Sequence, residues 1–514
     1  MDLQLFIAVN IMAFSGLAIA FGAVRRVKNE ASLLAVHALV LASGALALVM
    51  GWSQPGTLVA GLFIPFIALP GIFAALATRY ANLGRNERAA RYAKLSVLFH
   101  PAPIARFRAN LTEALAHDDP GQTVAALHSL GARATPGQKV VLDALTYRAQ
   151  GRWDDVLAAV QTEPAATAQL RGLDIRALGE LGRTDEMVCL YAKHKTHLLG
   201  TDLRDVQLFV LAFSGREAAV ALMLDTKRAV FDAPTIAYWK GIAALYSGRT
   251  GDAARAPLEA LAKTAARPLT RAAAQRHLDN ASAGTKQGLS ADSIIEVDVL
   301  EARLLRDAPL RAIGLRHSLA TLTLIAANSA MFAVEIWRGG AEDLGSLFAL
   351  GAMWPPSILT GGEWWRLASA LFLHFGWAHF LVNMVSLLAL GRIVEAVLGP
   401  LRMLAIFLIG GIGSSACVLG LMTARAIDDS VLVGASGAIM ALLGALAARQ
   451  VWNWRASRDV LDRRGLVGLA IIMVLQIGID LAIPQVSLAA HLSGFAFGFV
   501  IASALGAVRA SKSD

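Results

Sequence analysis

Apolar and polar positions divide the chain into three stretches. Residues 5–24, 33–52 and 58–77 are almost continuously apolar. Each run is near the ~20 residues that carry a helix across a hydrocarbon core. From about residue 78 to 311 the pattern changes: Arg, Asp, Glu, Gln and His become frequent, and apolar residues recur at helical spacing. From about residue 318 continuous runs return, at 318–336, 378–397, 401–423, 434–452, 465–483 and 487–508. The pattern predicts an all-α, polytopic membrane protein with a soluble helical insert.

The insert repeats. Gly-Arg pairs fall at Gly84-Arg85, Gly151-Arg152, Gly182-Arg183, Gly215-Arg216 and Gly248-Arg249, spaced 67, 31, 33 and 33 residues apart. The gap near residue 118 holds a turn of similar kind, "HDDPGQT". Each frame places an apolar helix, a glycine-centred turn and an amphipathic helix. This period and unit resemble the tetratricopeptide repeat, an α-solenoid that buries each unit on its neighbour and leaves a groove. The motif's aromatic and proline positions are mostly absent. The expected organisation is three transmembrane helices in 1–77, a repeat domain in 78–280, a linker in 281–311 and a six-span domain in 312–510. The linker expectation rests on the Gly/Ser-rich stretch "ASAGTKQGLSAD".

Composition supports a membrane protein: 56% of residues are hydrophobic, 17% are charged and mean hydropathy is +0.54. The net charge of +9 raises nucleic acid as a partner. The basic residues sit mostly beside apolar spans, however, where they set topology, so no nucleic-acid partner is expected. Arg25, Arg26 and Lys28 follow the first span with no basic residue before it. That polarity is opposite to a cleaved signal peptide and predicts a retained helix. Counting spans from these charges puts the repeats in the cytoplasm and loops 339–377, 424–433 and 484–486 outside. An alanine-rich chain of this kind suggests a bacterial inner membrane. Cys189 and Cys417 have neither disulfide nor zinc spacing.

Three polar clusters then fall near the outer ends of their spans. In "HFGWAHFLVNM", His379 and Asn383 are four apart and share a helix face. In "GASG", Ser436 opens a helix between Gly434 and Gly437, where the helix dipole favours developing negative charge. In "HLSGFAFG", His491, Gly494 and Gly498 share one stripe. Small residues permit close helix approach, and a histidine within reach of Ser436 could take its proton. His379, Asn383 and the Ser436 amide could hold an oxyanion.

The segments "GEWWRLASALFLHFGWAHFLVNMVSLLALGRIVEAVLG", "VGASGAIMALLGA" and "AAHLSGFAFGFV" closely resemble the rhomboid intramembrane serine proteases over about residues 312–510. The resemblance implies a six-helix bundle that hydrolyses peptide bonds in or beside transmembrane helices, next to small residues. It implies a Ser436–His491 dyad with no required acid. His379, Asn383 and the Ser436 amide would form the oxyanion hole. Gly434, Gly437, His374, Trp365, Arg366, Glu395, Gly494 and Gly498 would support it. Implied partners are transmembrane substrates and the bilayer, with a protein or peptide for the repeats; no cofactor or metal is implied. One position departs from the bacterial pattern: Met440 stands where an aromatic commonly packs on the base. Asp480 invites a triad, but the resemblance favours a cap or interfacial hydrogen bond. The competing reading is a weak or inactive adaptor that only binds transmembrane clients.

Overall fold

The computed structural model describes most of residues 31–505 and scattered positions before them; stretches such as 163–169, 225–230, 283–287, 312–317 and 483–486 lie outside the description. Among the described residues the regular elements are all helices, with one isolated bridge between Met353 and Leu432. Two compact units emerge. One gathers residues 1–18, 38–60 and 307–514; the other gathers 19–37 and 61–306.

The second unit is a succession of short helices, each packed on the next. Its turns repeat one device. The helix Pro136–Gln150 ends at Gly151, whose φ is +72°. There Gly151 N donates to Arg148 O and Arg152 N donates to Tyr147 O, at 3.1 and 2.9 Å. Gly182-Arg183 and Gly215-Arg216 make the same pair of bonds at the same distances. This is the glycine C-cap that satisfies the last carbonyls of a helix and reverses the chain. The Gly-Arg period is therefore the period of these caps. Other ends use side chains: Asp119 and Asp232 accept from Gln122 N and Thr235 N, and Thr135 forms a capping box with Gln138.

Apolar faces fill the interior. Phe213 packs edge-on to Trp239 and Tyr246, each at 5.8 Å between centroids. Within that core sits a buried carboxylate, Glu180. It accepts from Arg176, Tyr238, Arg276 and His277. Burial pushes its pKa up, but the His277 hydrogen bond and the Arg176 and Arg276 charges outweigh this and hold it at about 2.

The expected linker is only partly one. Ala291–Arg306 forms a helix with Val297, Leu300 and Leu304 buried. It is docked by Lys195–Glu296, Arg216–Glu301 and Ser290–Asp185 contacts within the same unit. The Gly/Ser-rich stretch masked the heptad-like apolar spacing that follows it.

In the first unit we number six helices: α1 (Leu319–Arg338), α2 (Gly376–Leu398), α3 (Pro400–Thr423), α4 (Ser436–Ser457), α5 (Val460–Ala482) and α6 (Leu488–Ala504). Residues Leu319–Arg338, Gly376–Leu398, Pro400–Thr423 and Val460–Leu481 are long and apolar enough to cross a membrane, as is Pro55–Ala81. Of the other expected N-terminal spans, 33–52 matches the helix Ala31–Val49, and 5–24 falls mainly outside the described residues. In α4, every residue from Gly437 to Ala445 is buried. This helix packs against α2, α3, α5 and α6 and forms the centre. Its seam with α6 is made by glycine. A β-carbon at Gly494 would strike Gly437 O, and one at Gly498 would strike Ala441 O. The two helices thus meet backbone to backbone. At the start of α1, Glu395 from α2 accepts from Ala320 N, Thr321 N and Thr321 Oγ1 at 3.0, 2.9 and 2.7 Å. A carboxylate there complements the helix N-terminus and ties two helices together.

Candidate active site

The segment leading into α4 is held on both sides. Met353 and Leu432 exchange backbone hydrogen bonds at 3.0 Å, and Gly434 N donates to Ala370 O at 2.8 Å. Arg366 organises the loop that supplies these partners. Its guanidinium donates to Glu363 and to the carbonyls of Phe348 and Ala352, at 2.6, 2.7 and 3.0 Å. Trp365 is half exposed and lies against Gly351, whose φ of +104° admits no ordinary side chain.

Gly434 carries a stricter demand. Its φ is +124°, and a β-carbon there would lie 2.7 Å from His379 Cε1 and 2.8 Å from Nε2. Glycine therefore lets the imidazole reach the nucleophile's loop. From the same β-carbon position Ser436 Oγ is 3.8 Å away, which brings Ser436 and His379 to one point. Phe375 N donates to His379 Nδ1 at 3.3 Å. A neutral His379 then carries its proton on Nε2, the nitrogen nearest Gly434. Asn383 is buried one turn further on and gives one amide hydrogen to His379 O at 2.9 Å. Its second hydrogen is uncommitted among the described contacts.

His491 approaches Ser436 through the glycine seam. A β-carbon at Gly437 would lie 3.6 Å from Ala490 O, and Ser414 Oγ donates to that carbonyl at 2.7 Å. The His491 ring is buried. Its Nδ1 lies 2.9 and 2.8 Å from the two oxygens of Asp480. Gln476, one turn earlier on α5, donates to Asp480 Oδ1 at 2.8 Å. A carboxylate can only accept here, so Nδ1 bears the proton and Nε2 presents its lone pair. That Nε2 is buried without a hydrogen-bond partner. Ser436 Oγ and Nε2 form no hydrogen bond in this structure. Among the described residues no aromatic ring lies on His491, and Met440 is buried in α4.

Of the readings open for Asp480, the contact is the one a triad expects: the carboxylate grips the imidazole and makes no cap among the described residues. Sequence spacing hid the contact because 11 residues and a helix break separate the pair. Gln476 and Glu335 were passed over altogether. Glu335 is fully buried in α1 and accepts from His374 N at 3.1 Å. A carboxylate inside an apolar span was the available signal. His374 is also fully buried, and neither ring nitrogen has a hydrogen-bond partner. It lies 5.4 Å from the His379 ring, so it borders the cluster without bonding to it.

A buried, carboxylate-held imidazole on a helix packed against the one Ser436 opens, among helices of membrane length, is the layout of a multi-pass membrane protein. Residues 361–508 match the Rhomboid domain. Similar proteins include RHOMBOID-like protein 5 of Arabidopsis thaliana, 35% identical over 30% of this chain and 48% of that protein. Rhomboid protease GluP of Bacillus subtilis is 32% identical over 37% of this chain and 35% of that protein. RHOMBOID-like protein 6, mitochondrial, of Arabidopsis thaliana is 33% identical over 30% of this chain and 50% of that protein. The chain thus spans half or less of the length of these relatives. Together the matches support a rhomboid family member from a protease family; the first 360 residues lie outside the domain match.

Proposed function

We propose that the protein is an intramembrane serine protease that hydrolyses peptide bonds in or beside the transmembrane helices of other membrane proteins. The observation that carries this reading is the Asp480–His491 contact. It leaves Nε2 of His491 without a partner, on a helix that packs against the one Ser436 opens. Ser436 Oγ attacks the carbonyl carbon and its proton passes to Nε2. Asp480 holds the tautomer and stabilises the imidazolium, as a carboxylate does in serine-protease triads. The charge on the carbonyl oxygen falls to His379 Nε2–H, Asn383 and the Ser436 amide. His491 then protonates the leaving amine, and a water attacks the acyl-enzyme with His491 again taking the proton. Asp480 is thus a positioning residue in place of the missing aromatic at Met440.

The wider organisation belongs to the same reading. The repeats are tetratricopeptide-like, they lie on the cytoplasmic side of a bacterial inner membrane, and the site opens on the outer side. The basic residues flanking the spans support this orientation.

The test is labelling of detergent-purified protein with a fluorophosphonate probe. Ser436 should be the modified residue, and Ser436→Ala should abolish the label. Labelling that persists in Ser436→Ala would sink the assignment. The missing Oγ–Nε2 hydrogen bond favours a second reading, an inactive adaptor for transmembrane clients. Resting catalytic contacts are often long and tighten on substrate. An unlabelled wild-type protein that still captures transmembrane helices would establish the adaptor.

A further inference from the structure

The helical-repeat unit contains a cavity of about 960 Å³ whose lining runs from Ala81 to Arg276. Residues from successive helices therefore face one open space. Its chemistry is one-sided. Arg148, Arg176 and Arg276 line it beside Trp153, Phe209 and Trp239. Arg176 stands 5.2–5.4 Å from the centroids of those three rings.

The carboxylate beneath these cations is already spent. Glu180 Oε1 accepts from Arg176 Nε and from its Nη2, both at 3.2 Å, and from Tyr238 Oη at 3.4 Å. Oε2 accepts from Arg276 at 3.3 Å and His277 at 3.0 Å. A carboxylate offers about four lone-pair sites, so Glu180 has nothing left to give. Asp205, the acidic residue in the lining, is paired with Arg204 at 3.1 Å.

Donors remain without acceptors. Trp153 is 5% exposed, and its indole N–H is buried with no hydrogen-bond partner. The Nε–H of Arg276 is likewise buried and unpartnered. Arg148 has no ion pair among the described residues. Buried donors left unmade cost about 1–3 kcal/mol each. A ligand that brings acceptors would recover that energy.

We propose that this groove binds an acidic peptide segment, with a carboxylate received by Arg148, Arg276 and the Trp153 N–H. The half-buried rings of Phe209 and Phe231 in the lining supply apolar surface that a peptide covers and a bare anion does not. The cavity lies at the upper end of the size range for compact ligands, which suits several residues of extended chain. The proposal is independent of the protease reading.

The test uses full-length Ser436→Ala protein in detergent and a fluorescein-labelled peptide rich in Asp and Glu. Its partners are the Asn/Gln isostere with an amidated C-terminus, and inorganic phosphate as competitor. The acidic peptide should bind saturably by anisotropy, and the isostere should bind at least about tenfold more weakly. Arg148→Glu should weaken binding by about tenfold or more, with retention of the fold checked by circular dichroism, because Arg148 is exposed and makes no direct ion pair among the described residues. Trp153→Phe keeps the ring, removes the donor and should cost about threefold or more. Equal binding of the two peptides, or unaltered binding by Arg148→Glu, would overturn the proposal. Displacement of the peptide by phosphate at matching affinity would also overturn it, in favour of a small free anion.

Discussion

Among the described residues two buried histidines are seen to hold a carboxylate, and they differ at the second ring nitrogen. In the repeat unit, His277 Nε2 meets Glu180 at 3.0 Å and its Nδ1 meets Tyr246 Oη at 3.2 Å. Both nitrogens are committed, and two arginines share the same carboxylate. In the membrane bundle, His491 Nδ1 meets Asp480 at 2.8 Å and Nε2 meets nothing. The pairs are alike in distance and burial. They differ in what the second nitrogen does. A saturated ring is a fastening, whereas a half-satisfied ring can accept a proton. Burial of a histidine–carboxylate pair is thus no sign of catalysis on its own.

The comparison breaks most visibly at the serine. Ser436→Ala should lower cleavage of a model transmembrane substrate by about a thousandfold or more, read by gel densitometry of the product. Asp480→Asn follows, with an expected loss in kcat of about a hundredfold to ten-thousandfold, because the amide favours the wrong tautomer. Asp480→Glu should recover part of it, and the pH profile of kcat/KM should move. Asp480→Asn with full activity would return the site to a plain dyad.

Glu180→Ala should do the reverse: destabilise the repeat unit by about 3–5 kcal/mol while leaving fluorophosphonate labelling of Ser436 intact. Tryptophan-fluorescence melts read that loss. Acid should reproduce it. The folded pKa of Glu180, about 2, lies below its ordinary 4.5. Its contribution is therefore complete above the unfolded value and is lost as pH falls from about 4.5 toward 2. A repeat-unit midpoint that is flat across this window would contradict the charged network. The smallest effect is expected at Met440→Phe, within about threefold in kcat, since Asp480 already orients the ring.

Much of this was legible in the chain. Apolar runs marked the six C-terminal helices because a span must be apolar for its whole length. Gly151, Gly182 and Gly215 marked helix ends because a left-handed cap requires that residue type. Ser436, His379 and His491 were legible as polar residues in costly places. Asp480 was not, because tertiary packing of α5 on α4 and α6 decides whether it caps a helix or holds a ring. The helix Ala291–Arg306 was lost behind a flexible-looking stretch, and its docking through Lys195 and Arg216 leaves no trace in local pattern. The unsatisfied donors of the groove were invisible for the same reason: they are defined by partners that never arrive.

The glycine seam between α4 and α6 also has a genetic meaning. Gly494 and Gly498 face carbonyl oxygens that leave no room for a β-carbon. Every single-base change that puts another residue in place of a glycine adds one. No residue-changing step of that kind at these positions can be conservative. A saturation screen that scores only for function should therefore find two silent-or-dead codons there, at residues that themselves carry no reacting atom.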